Sequence, residues 1–474
     1  MPVATAAPPA ACTNRSNNTI AKLLECVDLD GVREHQAVFQ DIADANGGTR
    51  ASGTTGYDES AEYVAERMEA AGYDVTIQPF DFVRFTEVTP GILEQTAPLP
   101  GGPIANIVMT YSGSGDVTAP VTALPAPPAD ATPGCEDTDF ATFPAGNIAL
   151  ISRGACTFAI KATNAANAGA IGVVIYNNIA GDLNGTLGSG FTLDIGVTGI
   201  TQALGQQLAA TAGLELRLFT ETLREPGTTS NVLAEKAGKN SDNVVMVGAH
   251  LDSVPEGPGI NDNGSGSAAL IEVAEQMAKV KPQNTLRFAW WGAEEASLVG
   301  STLYVNTLSD EEFAKIALYL NFDMIGSPNY VFFVYDGDNS DGVGAGPGPA
   351  GSAQIEQKFE DFYNSRSIPF KGTDFDGRSD YQAFIVNGIP AGGLFTGAEG
   401  IKTAAEVALW GGTVGQQYDP CYHAACDTFA NNSDEALATN SDAVAYVTLS
   451  YAMSTEEING TKSKGNFKPF EPAA

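Results

Sequence analysis

Three apolar runs of strand length each end at a residue able to bind a metal: His250, Glu294–Glu295 and Asp323. The chain has only three histidines, His35, His250 and His423. Two of them lie in loops rich in other metal ligands. The first loop reads Gly248-Ala-His250-Leu-Asp252, then Gly259-Ile-Asn-Asp262-Asn-Gly-Ser-Gly266. The second reads Cys421-Tyr422-His423-Ala-Ala-Cys426-Asp427. Imidazole with carboxylate suits zinc, and a carboxylate able to bridge would hold two ions.

The residue types divide the work. Asp262 opens a glycine-rich turn into a helix and can give one oxygen to each metal. Glu295 and Asp323 would each complete one ligand set, and His250 and His423 would supply the imidazoles. This predicts two ions about 3.5–4 Å apart. Adjacent glutamates make sense if they do different jobs, one facing the metal and one facing a water beside it. Glu295 is therefore expected as a ligand and Glu294 as the general base, which takes a proton and later gives it to the leaving amine. His-x-Asp suggests that the second imidazole nitrogen donates to the Asp252 carboxylate, fixing the tautomer. Each element alone is ordinary: a surface histidine, a solvated acid pair, a turn. Their conjunction at successive strand ends points to one metal site.

The elements that must position these residues can also be read. From residue 231 onward, strands at Val244–Ala249, Thr285–Trp291 and Ala317–Phe322 alternate with helices such as Gly264–Met277. Continuous apolar strands separated by helices indicate a mainly parallel mixed sheet sandwiched by helices. In such sheets, sites lie beyond the carboxyl ends of the strands. Upstream, a helix is expected over 58–71, with Asp58 as its cap, followed by a strand over 73–80. Residues 88–134 are rich in Pro, Gly, Ala and Thr and predict β structure and loops. A β-loop-α-β run follows over 146–176, with a helix at Ile160–Gly169 and a strand at Ile171–Tyr176.

The 474 residues are enough for two or three domains, and the net charge of −33 makes binding to nucleic acid or anionic membranes unfavourable. No run of eighteen apolar residues predicts a membrane span. The start lacks the basic and leucine-rich parts of a signal peptide and reads as a processed start or an extension. Six cysteines allow fifteen connectivities. Pairing of sequence neighbours, Cys12/Cys26, Cys135/Cys156 and Cys421/Cys426, is the simplest and implies an oxidising compartment. Sequons at Asn14, Asn17, Asn184, Asn431 and Asn459 fit a secreted glycoprotein, whereas Asn263 lies inside the metal loop and is not expected to carry a glycan.

Arg153, Cys156, Phe158, Lys161 and the small-residue helix Asn164–Gly169 resemble the protease-associated domain over roughly 88–225. In that family the module is not catalytic and is thought to cover an active site or influence access to it. The remaining motifs are Gly-Ala-His250-Leu-Asp252-Ser, Asn-Asp262-Asn-Gly-Ser-Gly, Ala-Glu294-Glu295, Asn-Phe-Asp323-Met and Tyr422-His423-Ala-Ala-Cys426-Asp427-Thr. Together they resemble the di-zinc exopeptidases that include secreted bacterial leucine aminopeptidases and vacuolar aminopeptidase Y. The resemblance covers about 45–85 and 230–450. It implies a zinc exopeptidase fold in three stretches: 1–87 and 226–474 form the catalytic domain, and 88–225 an inserted, β-rich α+β protease-associated domain. It implies zinc ligands His250, Asp262, Glu295, Asp323 and His423, with two zinc ions per chain. A structural calcium ion is left open. It also implies that Tyr422 hydrogen-bonds the tetrahedral intermediate, that Arg378 contacts substrate and that Phe395 walls the side-chain pocket. Alternatives for the last two are a salt bridge and a core residue.

The expectation is a secreted, monomeric zinc metallo-aminopeptidase. It would act on peptides with a free amino terminus, releasing apolar, Leu-like residues. A carboxypeptidase of the same superfamily would need basic residues gripping a terminal carboxylate. A glutaminyl cyclase would use one zinc. A non-catalytic relative would be expected to lose ligands or the base, and here all are present.

Overall fold

The computed structural model describes residues 12, 14–344 and 346–461. The first eleven residues, read above as no signal peptide, lie outside them. The chain forms two compact units: residues 1–81 with 228–474, and residues 82–227.

In the first unit, α1 (Leu29–Ala45) and α2 (Thr55–Ala70) precede the sheet. The cap of α2 is Thr54, whose hydroxyl accepts from the Tyr57 N–H, and not Asp58, which lies inside the first turn. The apolar period starts late because the first turn is built of polar residues, so the helix begins earlier than the pattern suggests. The sheet strands are β1 (Asn240–His250), β2 (Asn284–Trp291), β3 (Ile316–Phe322), β4 (Phe333–Tyr335), β5 (Lys371–Thr373) and β6 (Ala391–Phe395). Their order is β5-β4-β6-β3-β1-β2, and β2 continues onto the strand Glu215–Lys236. The central pairs β2/β1, β1/β3 and β3/β6 are parallel, while β4/β6 and the outer partner of β2 are antiparallel. This is the mainly parallel mixed sheet expected. α3 (Gly264–Gln276) and α4 (Asp434–Met453) pack against it with almost every α3 side chain buried, which explains why these helices are apolar around most of their circumference.

Register decides where the site forms. His250 lies opposite Trp291, and Gly248 opposite Asn321. The last residues of β1, β2 and β3 therefore lie side by side, and the loops that follow emerge at one edge.

The second unit has a parallel sheet of Gly115–Ala123, Ile148–Ser152, Gly172–Tyr176 and Gly196–Ile200, extended by antiparallel Ile107–Val108. Helices Phe158–Asn167 and Gln202–Ala209 flank it, and Ile148, Leu150, Val174 and Leu216 lie in its core.

All three cysteine pairs are joined as neighbours: Cys12–Cys26, Cys135–Cys156 and Cys421–Cys426. Two sequons are structural rather than available. Asn17 is buried and donates to the Gln276 carbonyl. The Asn431 amide is consumed by Asp419 and Asp427. His35, the third histidine, is buried on α1 with Nδ1 2.7 Å from Tyr63 Oη. Among the described residues, no helix is long and apolar enough to cross a membrane.

Candidate metal centre

The loops after β1, β2 and β3 meet the 421–427 loop in one cleft. Left-handed backbone at non-glycine residues marks three of these four loops: Ala293 (φ 55°), Met324 (φ 51°) and His423 (φ 54°). Such conformations are costly for L-residues and persist where surrounding structure imposes them, often at functional sites. Gly266, in the first turn of α3, has a different role. A Cβ there would lie 2.2 Å from the Phe322 carbonyl, so only glycine lets the helix start approach the end of β3. The Asn263 side chain then ties the two together. It donates to the Phe322 carbonyl and accepts from the Met324 N–H.

The five candidate ligands converge. His250 Nε2 is 3.2 Å from Asp262 Oδ1 and 3.3 Å from Asp323 Oδ1. His423 Nε2 is 3.2 Å from Asp262 Oδ2 and 3.1 Å from Glu295 Oε2. The two oxygens of Asp262 thus face different histidines. His250, Asp262 and Asp323 offer ligand atoms within 4.8 Å of one another, and so do Asp262, Glu295 and His423. Glu295 Oε1 is buried without a hydrogen-bond partner. A buried carboxylate oxygen without a partner is expensive. Two triads sharing one carboxylate, with one orphaned oxygen, fit divalent cations with mixed N/O ligands.

The electrostatics agree. Burial pushes the Glu294 carboxyl well up, His250 pulls it back, and Glu295, Asp380 and Asp323 push it further. Burial raises Glu295 to about 7, with Asp262 also raising it and His423 opposing. Burial opposes charge on His250, but Asp323 and Glu294 outweigh it and raise the imidazole well above its usual value. This crowding of acids is what a divalent cation would relieve.

His250 Nδ1 does not use the Asp252 carboxylate as its partner. It donates to the Asp252 backbone carbonyl at 3.0 Å, while the carboxylate is 3.7 Å away. A carbonyl can only accept, so this bond fixes the proton on Nδ1 and turns the Nε2 lone pair to the cleft. The carboxylate instead accepts the N–H groups of Glu294 and Glu295, at 3.2 and 3.4 Å. Asp252 therefore joins the histidine loop to the glutamate loop.

Tyr422 stacks on His423 with ring centroids 3.8 Å apart, and its hydroxyl accepts from Arg378 at 3.1 Å. Arg378 lines the cleft, yet Glu399 holds its guanidinium at 2.7 and 3.2 Å. Phe395 also lines the cleft, half-buried and stacked on Phe333.

The model of peptidase family M28 matches residues 231–448, and that of the PA domain matches residues 117–208. An aminopeptidase of Pseudomonas aeruginosa is 48% identical over 449 residues, covering 92% of this chain and 83% of that one. The chain belongs to peptidase family M28. It is an aminopeptidase of that family with a PA domain inserted in the peptidase domain. A probable leucine aminopeptidase 2 of Aspergillus fumigatus is 44% identical, covering 86% of this chain and 80% of that one. Two solved structures share the fold. The aminopeptidase from Aneurinibacillus sp. strain AM-1 has a TM-score of 0.74 at 27% identity, covering 96% of this chain and 99% of that one. A zinc aminopeptidase from Bacillus subtilis has a TM-score of 0.61 at 26% identity, covering 93% and 99%.

Several residues around the candidate site carry no sequence signal of their own. Ser379 donates to Asp323 Oδ2 at 2.6 Å, leaving Oδ1 toward His250. Asp427 accepts the N–H groups of Asn261 and Asp262, both at 2.9 Å, and so fixes the backbone that presents Asp262. Arg50 is fully buried and donates to the carbonyls of Leu251, Pro258 and Gly259, clamping the loops that carry His250 and Asp262. Asp427 sits inside the Tyr422–Asp427 motif and Ser379 directly follows Arg378, and that placement is the only pointer the sequence holds to either.

The Cys421–Cys426 bond closes a short ring around Tyr422 and His423. Its effect on the unfolded chain is small compared with a long loop, so its effect should appear in positioning. The Cys421→Ser/Cys426→Ser variant is expected to lose about tenfold or more in kcat, since small misplacements near reacting groups can cost about 10²-fold. Steady-state kinetics on the variant checks this. An unchanged kcat would remove the positioning role.

Proposed function

We propose that this M28 aminopeptidase is a secreted, monomeric di-zinc enzyme that releases apolar, Leu-like residues from peptides with a free amino terminus. The observation that carries the di-metal reading is the split of Asp262, with Oδ1 toward His250 and Oδ2 toward His423. His250 and Asp323 would complete one ligand set, and His423 and Glu295 the other. Zinc held there would supply Lewis acidity, polarising the scissile carbonyl and lowering the pKa of a water.

The chain's own groups do the rest. Glu294 is buried, lines the cleft and has a raised pKa, which suits a group that takes a proton from the attacking water and returns it to the leaving amine. Tyr422 donates to the oxygen that gains charge in the tetrahedral intermediate. Met324 and Phe395 offer apolar surface to the released side chain. The Aspergillus fumigatus relative, named a probable leucine aminopeptidase 2, supports that preference. Arg378 already pairs with Glu399, so it is poorly suited to gripping a terminal carboxylate, which argues against a carboxypeptidase. Two ligand sets argue against a one-zinc cyclase. Three disulfides support an oxidising, extracellular setting.

Substrate blocking tests the reading. Leucine p-nitroanilide and a Leu-initiated peptide should be hydrolysed, and the N-acetylated peptide should not, because acetylation removes the cation that the acidic cleft attracts. Efficient cleavage of the acetylated peptide, or release of C-terminal residues first, would move the reading to an endopeptidase or carboxypeptidase.

A further inference from the structure

Tyr422 has one hydroxyl proton and two lone pairs, and what its neighbours take decides where the proton goes. Arg378 donates into one lone pair at 3.1 Å. A guanidinium has donors and no acceptor, so the proton cannot turn back toward Arg378. It is left to face the cleft that Tyr422 shares with Glu294, His250 and His423. The stack on His423 fixes the ring plane, but it does not fix the direction of the O–H. Arg378 supplies that direction.

What holds Arg378 is Glu399. The two fork nitrogens meet the two carboxylate oxygens at 2.7 and 3.2 Å, the bidentate geometry that orients a guanidinium best. The Arg378 side chain is 44% exposed, so without that grip its long stem has room to leave. A competing carboxylate is close in sequence: Asp376 already accepts the Arg378 backbone N–H. Glu399 is not itself among the candidate ligands or the residues that line the cleft.

We propose that Glu399 is a positioning residue that locks Arg378 against Tyr422 and thereby aims the Tyr422 hydroxyl proton into the active-site cleft. The inference rests on the reading of Tyr422 as the donor to the tetrahedral intermediate. The proposed action of Glu399 runs through the Tyr422 hydroxyl, so that contribution disappears once the hydroxyl is gone.

A double-mutant cycle of E399Q, Y422F and E399Q/Y422F tests this, with kcat, KM and zinc content measured for each. Y422F should lose about 10²-fold or more in kcat, the range for one oxyanion donor, and E399Q about tenfold as part of that loss. KM should move less than about twofold and zinc content should not move, the pattern of an interaction made in the transition state. The double variant should match Y422F. R378K, which keeps the charge but loses the fork, should behave like E399Q, and E399D should recover part of the loss. An unchanged kcat in E399Q, or the same loss in the Y422F background as in the wild type, overturns the proposal and leaves the reading of Tyr422 intact. An unchanged kcat in Y422F overturns that reading and the proposal with it.

Discussion

Replacing Glu294 with Gln is expected to lower kcat by about 10²- to 10⁴-fold, the contribution of a well-placed general base, with both metal positions still filled. Gln keeps the shape and the backbone N–H bond to Asp252 Oδ1 but cannot take a proton. Its neighbour behaves differently. Glu295 faces His423 at 3.1 Å and has an oxygen without a partner, so Glu295→Gln should lower metal occupancy first and activity as a consequence. Kinetics and elemental analysis on the two variants separate base from ligand. Near-normal turnover in Glu294→Gln, or loss of metal from it, would reverse the assignment.

Asp262→Ala should have the larger effect. Asp262 places one oxygen 3.2 Å from His250 and the other 3.2 Å from His423. Removing it takes a ligand from both positions at once, so zinc should fall below that of any variant losing a one-sided ligand, and hydrolysis should fall to background. The fold should persist, because Asn261, Asn263 and Asp427 hold the loop by bonds that do not involve the Asp262 side chain. Circular dichroism with zinc analysis checks both halves. A variant that keeps one full zinc and measurable turnover would show that Asp262 is not shared.

The five converging residues were legible because each ends an apolar run or sits in a loop of distinctive composition, and parallel strands bring such ends together. The mainly parallel character of the sheet follows from the same alternation. Less visible was everything that depends on a long-range acceptor. Asp427 reaches back to the Asn261 and Asp262 N–H groups, and backbone N–H groups leave no mark in a sequence. Glu399 meets Arg378 from another loop, and one glutamate among many looks like solvated charge. The spacing of His250 and Asp252 suggested a side-chain pair, yet the carbonyl of the same aspartate sits closer to Nδ1. Asn17 and Asn431 carry the sequon pattern but are spent on internal bonds, because the pattern does not register burial. The polar first turn of α2 hides the start of the helix and, with it, the Thr54 cap.

Two metal ions held by His250, Asp262, Glu295, Asp323 and His423 are the centre of the proposed mechanism. Zinc titration of the chelated, inactive protein tests it most directly, with leucine p-nitroanilide hydrolysis and bound zinc measured at each addition. Activity should return and level off at two zinc ions per chain. Full activity at one equivalent, or hydrolysis that survives prolonged chelation, would contradict it.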